Sequence, residues 1–133
     1  MSEEHEENRS NWTVDDWTKY VKHGGSDLKG ANLKGANLER INLIGRNLSG
    51  ANLEGANLRG ANLGGANLSS ANLKGANFSE ALLDGAYLEC AKLNGSNIEA
   101  ASGVKGVTFP SPSFLRDVKF YDIDDLRKRV AGF

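Results

Sequence analysis

A large apolar residue returns at every fifth position from Leu28 to Ile98, and the residues between are almost all small or polar. The column reads Leu28, Leu33, Leu38, Leu43, Leu48, Leu53, Leu58, Leu63, Leu68, Leu73, Phe78, Leu83, Leu88, Leu93 and Ile98. Framed on Ser26, the chain forms 15 consecutive five-residue units through Ala100, with no insertion or deletion. The consensus is Ala-Asn-Leu-x-Gly, with Asn second in 11 units and Gly fifth in 10. A period of five suits neither common element. In an α-helix five residues advance about 1.4 turns, which scatters the leucines around every face, and Gly costs about 1 kcal/mol against Ala. In a continuous strand side chains alternate with period two, so an odd repeat would send successive leucines to opposite faces. The leucines stay on one side only if the chain turns once per unit, and Gly tolerates the positive φ such a corner needs. Turns of constant sense make a coil whose rungs satisfy one another's backbone groups.

Outside the repeat the patterning changes. Residues 1–11 carry four Glu and no apolar side chain after Met1, the composition of a disordered acidic tail. Residues 12–25 predict a short helical cap over Thr13–His23. Thr13 is its N-cap, Asp16 completes a capping box, and Gly24 and Gly25 end it. Val14, Trp17 and Val21 share one face, so the helix is read as a lid on the first coil. A second reading makes Trp12, Trp17 and Tyr20 a partner-docking face. Residues 101–133 are read as a C-terminal cap. A loop or short strand carries Val104, Val107 and Phe109, followed by an apolar segment with Phe114, Leu115, Val118 and Phe120. A final helix over Asp122–Ala131 has acids near its start and Arg127, Lys128 and Arg129 near its end, as the helix dipole prefers.

The Ala-Asn-Leu-x-Gly units resemble the pentapeptide-repeat family, whose motif is Ala-(Asp/Asn)-Leu-x-x. The resemblance covers 75 of the 133 residues. It implies a mainly β fold, a right-handed quadrilateral β-helix with four units per coil, hence about 3.75 coils and a height of roughly 18 Å at rung spacing. It also implies that the Leu and Ala columns point inward and that Asn faces out toward nearby backbone. Some members of the family dimerise through C-terminal elements, so the expected state is a monomer or a homodimer through residues 101–133. Stacking at four units per coil sets Lys34, Glu54, Lys74 and Asn94 in one outward column and Glu39, Arg59, Ser79 and Glu99 in another, placing opposite charges one rung apart. Arg46 and Ile41 depart from the pattern at inward Ala positions. Ile44, Leu82 and Tyr87 depart from it at outward ones, where they are either covered by the C-terminal segment or available for protein contact.

Chemistry is sparse. Neither His5 nor His23 has a nucleophile or metal partner at ligand spacing, and Cys90, the one cysteine, excludes an intramolecular disulfide. The glycines recur as corners, which is unlike a phosphate-binding loop. No catalytic, metal or cofactor site is expected, and the chain is read as a non-enzyme. With a formal net charge of −1, no transmembrane run and no secretory or transit signature, no nucleic-acid or membrane partner is expected, and the default compartment is the cytoplasm. The best-known activity of the resembled family is action on DNA gyrase by mimicry of DNA with strongly acidic faces. Duplex DNA carries roughly ten charges over 18 Å, whereas the repeat has seven acids and seven bases. The expectation is therefore a scaffold or adaptor for another protein. The alternatives are a topoisomerase-directed resistance or immunity factor and a regulatory subunit docked by the Trp12–Tyr20 helix.

Overall fold

The computed structural model describes residues 9–110. The 1–8 part of the expected tail, and the C-terminal expectations from residue 111 onward, lie outside the described residues.

The repeat closes on itself every four units. Parallel bridges join Asp27 to Asn47, Asn32 to Asn52, Asn37 to Asn57 and Asn42 to Asn62, and the same spacing of twenty continues up to Asn72 with Lys92. Each unit repeats one set of bonds. The Leu28 N–H donates upward to the Asn47 carbonyl (2.9 Å), the Gly30 N–H to the Ser49 carbonyl (2.9 Å), and the Asn52 N–H downward to the Ala31 carbonyl (2.8 Å). Within a rung, the Ala31 N–H closes a turn on the Leu28 carbonyl at 3.0 Å. Gly30, third in that turn, has φ +68°, the left-handed value that a type II turn demands there. This corner keeps every Leu on the inner side.

The second-position side chain reinforces the same corner. Asn52 Oδ1 accepts from the Glu54 N–H at 3.1 Å, and Asp27 and the asparagines from Asn32 to Asn77 make the same bond two residues on. The Leu column from Leu28 to Ile98 is buried throughout, alternating with buried Ala, and no polar or charged residue is buried among the described residues.

Below the first rung stands α1, Val14–Lys22. The Asp16 N–H donates to Thr13 Oγ1 (3.1 Å) and the Thr13 N–H to Asp16 Oδ2 (2.9 Å), a reciprocal capping box. Trp17 and Val21 are buried in the same apolar cluster as the leucines, with Val14 and Ile41 packed against it. Ile41 stands where the column has no rung beneath it, since twenty residues earlier the chain is still in α1. Arg46 sits one rung above Ser26, at the other large substitution in that column. It is half-buried, and Nη1 donates to the Gly25 carbonyl at the helix–coil junction.

The pairing does not stop at Ala100. Leu82 bridges to Gly103 and Tyr87 to Thr108, at a spacing of twenty-one rather than twenty. Val104 and Val107 are buried beyond them. One extra residue enters near a 3-10 turn at Ile98–Ala100. There the Phe78 N–H, which by the regular pattern would meet the Asn97 backbone carbonyl, meets Asn97 Oδ1 instead. The Ser102 and Gly103 N–H groups share the Ala81 carbonyl, the two-against-one count of a bulge. Residues 101–108 thus continue the coil after a one-residue slip, where the sequence reading placed a loop or short strand.

Candidate protein-interaction surfaces

At the N-terminal end three rings meet edge to face. Their centroids lie 4.8 Å apart for Trp12 and Trp17, 5.3 Å for Trp12 and Tyr20, and 5.9 Å for Trp17 and Tyr20. The Arg9 guanidinium carbon lies 4.4 Å from the Tyr20 centroid and 5.0 Å from that of Trp12, and Nη1 donates to the Asp27 carbonyl. Trp17 is only 7% exposed, so its indole belongs to the core and is not a contact surface. Trp12 and Tyr20 are half-buried against it. The Tyr20 ring also lies where a side chain on Gly25 would have to stand, which explains a glycine without positive φ. Hydrogen bonds donated by the Thr13 backbone N–H and by the Thr13 side chain hold the Asp16 carboxyl below its usual range.

Three large apolar side chains stand out from the coil: Ile44 (56% exposed), Tyr87 (49%) and Leu82 (40%). Ile44 borders a shallow open groove on the first rung, lined also by Asp27, Lys29 and Arg46. Leu82 and Tyr87 occupy outward second positions on adjoining sides, either side of the Gly85 corner. The outward columns place Lys34 Nζ 3.8 Å from Glu54, as the twenty-residue stacking requires. Arg59 instead turns to Glu80 at 3.5 Å, one corner position away from the Ser79 of its own column. Both pairs are exposed and contribute about 0–1 kcal/mol each.

Sequence reasoning did not find Asn97. Its Nδ2 donates to Asn77 Oδ1 (2.9 Å) and to Ser79 Oγ (3.0 Å) while Oδ1 takes the Phe78 N–H, so one side chain closes the slip. The signal was available, since Asn97 follows three units without a second-position Asn. Cys90 is a free, exposed thiol at a corner with φ +60°. His23 Nδ1 lies 2.7 Å from the Lys19 carbonyl. Among the described residues no group of His, Cys, Asp and Glu could hold a metal ion, and no helix is long and apolar enough to cross a membrane.

Comparison with known proteins agrees with this geometry. The model of the family described as pentapeptide repeats matches in eight copies over residues 26–65 and 61–99. No curated protein matches the chain significantly. Among solved structures, alr5209, a pentapeptide repeat protein from Nostoc Pcc 7120, is 38% identical over 75% of this chain and 87% of its own, with a TM-score of 0.62. A pentapeptide repeat protein from the Arabidopsis thaliana thylakoid lumen is 30% identical over 74% of this chain and 77% of its own, with a TM-score of 0.38. QnrB1, a plasmid-mediated fluoroquinolone resistance protein, is 17% identical over 62% of this chain and 52% of its own at a TM-score of 0.41, too distant to bear on function. The repeat in the sequence, the twenty-residue stacking and the family match converge: the chain belongs to the pentapeptide-repeat family, whose members fold as right-handed β-helices.

Proposed function

We propose that this protein is a non-enzymatic interaction module, a rigid β-helical scaffold that presents side-chain faces to another protein. The observation that carries the reading is the division of its side chains. The inward positions are filled mostly by the chain's own Leu and Ala, while the exposed apolar departures from the repeat, Ile44, Leu82 and Tyr87, point outward. An interior packed this way leaves nothing to converge on a substrate, and exposed apolar side chains on a rigid support are what a protein contact uses. In this reading α1 caps the N-terminal end of the coil, as a repeat stack requires. The half-buried Trp12 and Tyr20 offer a second, smaller contact.

The test is site-specific photo-crosslinking in cells of the source organism, with the reactive group at position 44, 82 or 87 and a control at Asn62. A discrete adduct at one or more of the three apolar positions and none at the control is expected. Equal or absent labelling at all four would sink the reading.

The topoisomerase-directed alternative has less support, because the repeat carries as many bases as acids and cannot imitate a polyanion. In a gyrase supercoiling assay, with and without a quinolone, no inhibition and no drug protection are expected. Either effect at low micromolar protein would establish the alternative instead.

A further inference from the structure

Leu82 and Tyr87 are the second residues of consecutive units, the position that holds Asn in 11 of the 15. Two residues after each comes an exposed acid, Asp84 and Glu89. The last full coil therefore carries a strip reading apolar-x-acid on one side of the Gly85 corner and apolar-x-acid on the other. Above Leu82 the next rung contributes Gly103, which has no side chain to cover it, and a Cβ there would meet Asp84 Oδ1 at 2.8 Å. Above Tyr87 the next rung contributes Thr108, whose carbonyl accepts from the Leu88 N–H at 2.8 Å. The described residues end two positions later, at Pro110, one rung above Tyr87.

The 23 residues that follow, 111–133, set bases beside apolar residues: Leu115 is followed by Arg116 and Val118 by Lys119, with Asp117 between the two pairs. Five residues of extended chain reach roughly 17 Å, against about 4.8 Å per rung, so Leu115 can return to the strip from Pro110 with chain to spare. Exposed apolar positions one rung below Pro110, acids flanking them, and an apolar-basic segment joined to Pro110 together favour one occupant.

We propose that the strip formed by Leu82, Asp84, Tyr87 and Glu89 is a docking surface for the chain's own segment 111–133, with Leu115 and Val118 against the apolar pair and Arg116 and Lys119 against the acids. For its consequence this rests on the interaction reading above: a partner that uses Leu82 and Tyr87 competes with the tethered segment for the same strip. The docking itself is independent of any partner and is measured on the isolated full chain.

A photo-reactive p-benzoylphenylalanine in place of Tyr87 keeps an aromatic ring at an outward position. On irradiation of dilute protein, the expected product is an adduct within one chain, mapped by mass spectrometry to the peptide around Leu115–Lys119, with a yield independent of protein concentration. The same group in place of Asn47, two rungs below on the same side, should not form it. In a chain that also carries Arg116→Glu and Lys119→Glu, the adduct at position 87 should fall several-fold. Three outcomes overturn the proposal: no adduct on 111–133, equal adducts from positions 47 and 87, or adducts confined to a crosslinked dimer. Each leaves the interaction reading standing, because that is tested by adducts to other proteins.

Discussion

At the fifth position of each unit through Gly95 the backbone takes a positive φ whether or not glycine is present: Arg40, Ser70, Glu80 and Cys90 all lie near +60°. A left-handed L-residue costs about 1–2 kcal/mol, partly offset by the smaller entropy that a non-glycine residue loses on folding. Ser70→Gly should therefore raise stability by about 0.5–1 kcal/mol, read as a higher denaturant midpoint with unchanged slope. Gly50→Ala should lower it by a similar amount, although a Cβ there meets nothing within 4 Å, so the cost is conformational and not steric. Asn97→Ala tests the slip. It leaves the Phe78 N–H without its acceptor and should cost about 1–3 kcal/mol, whereas Asn42→Ala, which removes a single exposed bond to the Ile44 N–H, should cost less. The inward or outward sense of each residue was legible from its place in the five-residue unit. The route of Arg46 was not, because the Gly25 carbonyl that receives it comes from a different kind of structure and has no periodic relation to it.

The helix is legible because its signals are local. Thr13, Asp16 and the glycine pair act within a few residues of one another, and the capping box forms between them. Thr13→Ala should cost about 1 kcal/mol, seen as a lower melting temperature. Asp16 adds a pH dependence of defined sign. Its carboxyl is held below the usual range in the folded chain, so its contribution is complete above the unfolded-state pKa. That contribution is lost as pH falls through the folded value. Wild type should be more stable than Asp16→Asn near neutrality, and the two should converge in strong acid. A parallel offset at every pH would show that the carboxylate's charge is not involved. The end of the coil was not legible in the same way. After Ala100 the consensus Asn and Leu are gone, Val104 and Val107 take the inward places, and one extra residue shifts the frame. A period count tuned to five loses the pattern at the slip, while the backbone bonds carry it across.

For the molecule as a whole, the coil is one continuous core, and its rungs are coupled through backbone bonds and buried leucines more than through charge. Leu53→Ala, in the second rung, should cost about 2–5 kcal/mol and lower one cooperative transition instead of splitting it. Raising salt toward molar concentrations should move the melting temperature little if Lys34–Glu54 and Arg59–Glu80 are the charges that matter, since both pairs are exposed. A marked fall would point to the contrast between the acid-rich 75–100 stretch and the bases of 101–133, and the charge reversal of Arg127, Lys128 and Arg129 together should then reproduce it. The architecture was written plainly in the repeat, whereas the surface residues that a partner would read are its departures. Those were visible as exceptions, but their neighbours one rung away could be named only once the stacking was known.

Stacking at four units per turn also makes the coil an angular device. Each five-residue unit advances the chain by a quarter turn, so the number of units between α1 and the Leu82–Tyr87 strip fixes the azimuth at which the two ends face outward. Removing one unit from the middle would leave every remaining rung able to pair at its twenty-residue spacing, yet would rotate the strip by ninety degrees relative to the helix. Removing four would shorten the rod by one rung and restore the bearing. The length of the repeat is in this sense a compass setting, and two proteins with equally stable coils but different unit counts would point their ends in different directions.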